Sequence, residues 1–443
     1  MKALLASVGL IGLAMYLVES TVLEALAVAV SAHVFLVFVA KIGKTIALLP
    51  CISFIASLEI LLVPALTYWV FPSSMPIDST VYFSYALPAF LAFYAGLNRF
   101  SSRDLGRTHV VYMQAGTAYL QTKPATCIVL LAIGLLGFII KMIVPTAPAM
   151  VGTIPSYCLC ISAFYAYYSR SPYRFVVIGL AAMVLLVNTV WTGMFGDLFF
   201  WLLLAVLFLA AGMPDRITTS LKTTVILSAF AFLLLIQSIK GEYRYNTWGY
   251  SRAERTANTT LMAELLADRL THPEKLLNAD HAFLSFVRFN QGIMIGSAMA
   301  KVPLHEDYAR GAVLLSLIYP FIPRLFWANK PQTGGYENIR RFTSLRQTEN
   351  TSINLSPLGE GYVNFGYGGV LFALFYGLLL GGAFHYVLRL AERMPSLIFW
   401  LPMLYIGCLT METDLLSTWG SLLNNALFIA LLFWVSKRVG IHL

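Results

Sequence analysis

The chain of 443 residues is 58% hydrophobic and 12% charged, with a mean hydropathy of +0.74, which excludes an ordinary soluble domain, whose apolar share is about half. Its formal charge of +9 does not by itself point to an anionic partner, because polytopic membrane proteins keep excess Lys and Arg on their cytoplasmic side. Cys51, Cys127, Cys158, Cys160 and Cys408 all fall in apolar runs without metal-ligand spacing and read as small buried hydrophobes.

Apolar runs of about 17 to 25 residues recur along the chain, each long enough to cross a hydrocarbon core of about 30 Å as a helix. They predict about twelve spans, near 3–18, 21–40, 45–70, 80–98, 124–145, 148–168, 175–192, 197–213, 222–239, 368–388, 395–412 and 419–436. The first run follows Lys2 but leads into further spans with no cleavage site before a soluble domain, so it reads as a span. Short alternating strands of a β-barrel are not seen.

Basic residues follow alternate spans: Lys41 and Lys44, then Arg99, Arg103, Arg107 and Lys123, then Arg170 and Arg174, then Arg216 and Lys222. The intervening turns at 71–79 and 192–197 carry none, which places the N-terminus in the cytoplasm. Residues 240–367 then form one long extracytoplasmic region between a bundle at 1–239, of about nine helices, and about three helices at 368–443. With that region outside, Arg389, Arg393, Lys437 and Arg438 fall inside, and so does the C-terminus.

The 240–367 region holds 14 Lys and Arg and 11 Asp and Glu, about half of the chain's 51 charges. Its sequence predicts a helix at 260–270, capped by Asn258 or Thr259, with Leu261, Leu265 and Leu266 on one face, and another at 281–300, capped by Asn278 or Asp280. The apolar piece at 311–323, only about 13 residues long and interrupted by proline, reads as re-entrant or interfacial. No internal repeat supports a transporter built from inverted halves.

Arginines outside the cytoplasm are not needed for orientation. Their planar fork suits phosphate oxygens, so they are candidate ligands for a lipid-linked diphosphate. Arg288 lies in an apolar helical run, Arg324 follows the short apolar segment with Lys330 close behind, and Arg255 is paired with Arg252; Arg341 is a further candidate. The alternative for each is a solvated or snorkelling cation paired with nearby acids. No metal-binding histidine or cysteine motif, P-loop or dinucleotide fingerprint appears, so no metal, cofactor or nucleic-acid partner is expected and any activated donor should be a lipid.

Two stretches, YPFIPRLFWANKP (319–331) and SPLGEGYVNFGYGG (356–369), resemble elements of the O-antigen polymerase (Wzy-type) family. The matching residues are Pro323, Arg324, Trp327, Lys330 and Pro331, then Ser356, Pro357, Gly359, Glu360, Asn364 and Gly366. The resemblance implies an all-α, GT-C-like polytopic glycosyltransferase of the bacterial inner membrane. Such an enzyme joins undecaprenyl-diphosphate-linked repeat units on the outer face, with a chain-length regulator as an expected protein partner. The chain lacks the family's Arg followed eleven positions later by Gly, since Arg346 and Gly359 are too far apart, and this leaves donor and acceptor loops unassigned.

In that chemistry preorganised cations stabilise the departing lipid diphosphate, a role for Arg324, Arg288 and Arg255. A base takes the acceptor's proton. Glu360 is the first candidate and His281 the second, while Asn364 lies one turn from Glu360 in position to meet the sugars. The structural alternative for Glu360 is to cap a neighbouring helix. An O-antigen ligase, using the same donor, and a twelve-helix transporter or flippase are the competing functions. The latter is weakened because most charge lies outside the spans, although Glu59 lies within one.

Overall fold

The computed structural model describes residues 20–100, 109–213, 216–248, 258–277, 289–322, 327, 335–345, 353–441 and 443. Secondary structure among the described residues is helical, with no strand. Eight helices are long and apolar enough to cross a membrane: α1 (Val22–Lys41), α2 (Leu48–Val70), α3 (Ser79–Asn98), α5 (Thr126–Ile143), α7 (Arg174–Thr192), α9 (Thr219–Thr247), the run Ser356–Ala391, and α16 (Leu415–Arg438). This defines a polytopic α-helical membrane protein.

Three other expected spans are shorter or broken. The 148–168 stretch contains Pro155 and resolves into a turn, Thr153–Ser156, followed by α6 (Cys158–Tyr168), whose 11 residues make about 16 Å of helix. Gly196–Gly212 (α8) and Pro395–Cys408 (α15) are apolar but fall below full crossing length. The 3–18 stretch lies outside the described residues. One element was not anticipated: the basic connection at 99–123 contains a helix, α4 (His109–Gln121), which buries Tyr112, Met113, Gly116 and Leu120. A Cβ at Gly116 would sit 2.9 Å from Phe399 and from the Pro395 carbonyl, so α4 packs flush against the start of α15.

The closest packing joins α3 to the second part of the Ser356–Ala391 run, α14 (Gly369–Ala391). A Cβ at Gly377 would lie 2.7 Å from Leu97 N, and one at Gly96 2.8 Å from Leu378 N. Lipid tails are as apolar as leucine, so helices in a bilayer associate through such close backbone approach and through hydrogen bonds. Elsewhere Gly137 lets α5 meet the turn before α6, with Ser156 N 2.6 Å from where its Cβ would stand.

In the charged region the helix expected at 260–270 is α10 (Thr259–Thr271), and Asn258 Oδ1 accepts from Leu261 N at 2.8 Å as its cap. Met262, Leu265 and Arg269 are buried on the face that meets α9. The helix expected at 281–300 is seen as α11 (Gln291–Lys301), with Asn290 at its start; residues 278–288, and with them the caps Asn278 and Asp280, lie outside the described residues. Two 3₁₀ turns, Ala312–Leu317 and Tyr319–Phe321, occupy the described part of the 311–323 segment, where Trp419 Nε1 of α16 donates to Leu317 O at 2.9 Å. A proline at 320 removes one amide donor and suits such short turns better than a continuous helix. Helix α9 continues to Thr247, past the expected boundary at 239, and the run Ser356–Phe365 begins well before the one expected at 368.

Candidate functional site

Residues 356–369 form a helix, α13 (Ser356–Phe365), a 3₁₀ turn at Gly366–Gly368, and the entry into α14. Pro357 suits the first helical turn, where its missing N–H costs nothing. Ser356 sits at φ 65°, in the left-handed region, with its hydroxyl accepting from Gly359 N at 3.1 Å. For a residue other than glycine this is a strained conformation that surrounding structure must enforce.

The glycines of this stretch do not leave room for a bulky glycan. A Cβ at Gly361 would meet the Phe372 ring at 2.8 Å, and one at Gly369 would meet both the Gly361 carbonyl carbon and the Tyr85 hydroxyl at 2.6 Å. They allow α13 to fold back against α14, where Tyr85 OH of α3 donates to Leu358 O at 2.7 Å. Gly366, at φ 58°, is needed for the turn itself, and Tyr308 packs against it.

Glu360 lies inside this packing and is 1% exposed. Asn338 Nδ2, from α12 (Tyr336–Phe342), donates to its Oε1 at 2.9 Å, and Leu415 N donates to its Oε2 at 2.7 Å. The carboxylate therefore takes up one of the amide hydrogens left over at the start of α16, next to the Asp414 cap, whose Oδ1 accepts from Ser417 N at 2.8 Å. Asn364 is buried as well: its Nδ2 donates to Glu360 O at 2.7 Å, and its Oδ1 accepts from Gly311 N at 2.9 Å. With Ala309 N donating to Val363 O at 2.8 Å, the 309–311 loop is fastened to the end of α13.

A second buried acid approaches the same chain segment. Glu59, 1% exposed and midway along α2, accepts from Met411 N at 2.6 Å through Oε2. It sits in a single π-helical stretch, Leu58–Leu62, where Tyr82 OH donates to Ile60 O at 2.8 Å. Such bulges loosen the helical ladder and commonly occur at functional positions. Asn354 Nδ2 adds a bond to Glu412 O at 3.1 Å. Three side chains from separate parts of the chain thus hold the 411–415 connection between α15 and α16.

Of the residues singled out in the sequence, Glu360 and Asn364 are brought together and Arg341 is placed apart. Arg341 Nε donates to Glu306 Oε1 at 2.7 Å and its guanidinium lies 4.7 Å over the Phe342 ring, a local and half-exposed ion pair. Arg252, Arg255, His281, Arg288, Arg324 and Lys330 lie outside the described residues. Trp327 of the first motif packs edge-on against Tyr319 at 5.1 Å. Asn338 and the Leu415 amide were not foreseeable, because neither pattern nor spacing links them to residue 360. The described residues hold no group of three or more His, Cys, Asp or Glu side chains able to bind a metal ion.

A family model described as a domain of unknown function (DUF8712) matches residues 80–394. It spans well over half of the chain, which therefore belongs to that family. No curated protein and no solved structure matches. The matched stretch opens within α3 and closes just after α14, the two helices in closest contact, so the domain is joined end to end by the Gly96–Gly377 packing. Glu59 and the 411–415 segment lie outside it.

Proposed function

We propose that the protein is a membrane glycosyltransferase that polymerises undecaprenyl-diphosphate-linked oligosaccharide repeat units on the outer face of the bacterial inner membrane. The observation that carries this reading is the place of the second motif. Glu360 and Asn364 fasten the charge-rich region, through Asn338 and Gly311, to the membrane helices. A lipid-linked substrate has to be met at such a junction, with its prenyl chain in the bilayer and its diphosphate and sugars beside the cations.

In the reaction the acceptor sugar's hydroxyl oxygen attacks the anomeric carbon of the donor. The bond from that carbon to the phosphate oxygen breaks, and the lipid diphosphate leaves with the electron pair. Arg324, Arg288 and Arg255 stabilise the charge that develops there. With both oxygens of Glu360 already accepting protein donors, its role in this reading is positioning, and the acceptor's proton passes to His281.

Deleting the gene in its host and resolving the surface polysaccharide on a gel tests the function. Lipid capped with a single repeat supports the polymerase. Uncapped core with accumulated long lipid-linked chains supports a ligase instead, and loss of every outer-face intermediate supports a flippase. Arg324→Ala is expected to lower polymer yield at least about tenfold, the cost of one charge-assisted contact. Full complementation by that variant would overturn the assignment of the cations.

A further inference from the structure

Helices α5, α6, α7 and α8 enclose a narrow cleft away from the Glu360 site. Lys141 of α5, Tyr157 at the start of α6, Asn188 of α7 and Asp197 of α8 all line it. Two come from helix C-terminal ends and two from helix starts: Lys141 is two residues from the end of α5 and Asn188 one turn before the end of α7, while Tyr157 immediately precedes α6 and Asp197 is the second residue of α8. The remaining walls are apolar or aromatic, including Phe138, Val184 and Trp201.

The polar groups in this cleft have capacity left over. Lys141 Nζ donates to Asn188 Oδ1 at 3.2 Å, which accounts for one of its three hydrogens. Among the described residues neither the Asp197 carboxylate nor the Tyr157 hydroxyl has a hydrogen-bond partner. Lys141 and Asp197 offset each other's charge in part, and the hydrogen-bonding capacity that both keep is costly on apolar membrane helices. The outward surfaces beside the cleft are those of a lipid-facing bundle, with Leu136, Ile139, Ile143, Val187 and Trp191 exposed.

We propose that this cleft binds the headgroup of a membrane phospholipid carrying both a phosphate and a primary ammonium, of the phosphatidylethanolamine type. The phosphate accepts from Lys141 and from the Tyr157 hydroxyl, and the ammonium donates to Asp197. The acyl chains lie along the exposed faces of α5 and α7. One fixed cation and one fixed anion match a zwitterion better than a purely anionic lipid. A primary ammonium also offers the hydrogens that a quaternary one lacks.

The test uses the full-length protein in detergent, with melting followed by tryptophan fluorescence after addition of phosphatidylethanolamine, phosphatidylcholine, phosphatidylglycerol or free phosphoethanolamine. Phosphatidylethanolamine is expected to raise the melting temperature most. In Asp197→Asn its apparent affinity falls about tenfold and its advantage over phosphatidylglycerol disappears. Tyr157→Phe, which removes a single hydroxyl, weakens both lipids and serves where the charge variants fold poorly. Equal stabilisation by phosphatidylethanolamine and phosphatidylglycerol, or a preference that survives in both Asp197→Asn and Lys141→Gln, overturns the proposal. So does an equal effect of free phosphoethanolamine, which would make the site one for a soluble ligand.

Discussion

Helices α3 and α9 both qualify as membrane spans, yet the less apolar of the two is the more deeply packed. Mean hydropathy is 1.3 for α3, with 56% of its most apolar window buried, against 1.9 and 0% for α9. Hydropathy measures how readily a segment leaves water. It does not measure how well the segment fits other helices, because lipid solvates leucine as well as protein does. Helix α3 is held through Gly96 against α14 and through tyrosine hydroxyls, whereas α9 is buried only toward its end, at Ser238, Ile239, Tyr243 and Thr247.

The strongest way to break this contrast is Gly377→Leu. The added side chain has backbone 2.7 Å from its first carbon, and the helix pair must separate at a cost of about 3 kcal/mol or more. A monodisperse peak from the detergent-solubilised variant, at wild-type yield on size-exclusion chromatography, would show that the α3–α14 contact is not what holds the domain together.

Glu360→Ala should be nearly as damaging, about 2–4 kcal/mol, because it leaves the buried Leu415 amide and the half-buried Asn338 without an acceptor. Glu360→Gln should stay within about 1 kcal/mol of wild type, since its oxygen can serve Leu415 and its amide can donate to a reversed Asn338. A melting temperature for the glutamine variant as low as that of the alanine variant would refute this account of the site.

A smaller effect is expected at the far end of α9. There Asp268 of α10 meets Lys275 at 2.6 Å as well as the Arg269 guanidinium, and Arg269 also donates to Glu242 of α9 at 2.7 Å. Lys275, followed by Arg269, holds the Asp268 carboxyl below its usual range. Because the folded value is the lower one, this stabilisation is present above about pH 4 and is lost as the pH falls through the folded value. Protection of α10 against hydrogen exchange, relative to the intrinsic amide rate at each pH, should therefore fall on acidification below pH 4, and Asp268→Asn should remove that dependence.

The weakest effect falls on the lipid-facing part of α9. Phe230→Leu, at a side chain 59% exposed, should change stability by less than about 0.5 kcal/mol. A loss of more than about 1 kcal/mol would mean that another helix covers this face.

Much of the architecture was legible because bilayer thickness fixes how long an apolar run must be, and asparagine at 258 announces the start of α10 by its chemistry. Helix α4 was hidden, since its mixed polarity gives little periodic signal and its burial depends on the later α15. Glu360 was visible as an isolated acid in an apolar context. Its partners were not, for a bond between residues 360 and 415 exists only once the chain has folded. The glycines around it are equally a matter of the folded chain, because Phe372, Tyr85 and the backbone itself fill the space beside them.

The hold that Glu59 and Glu360 keep on the 411–415 connection bears on how the protein is made. Both acids are synthesised before the segment that supplies their donors. Until then two buried carboxylates lack those amide partners, which is costly in apolar surroundings. Arrival of the last hairpin supplies those donors and removes that penalty. A chain terminated before residue 411 should be recognised as unfinished and degraded, even with the whole of residues 80–394 already in place.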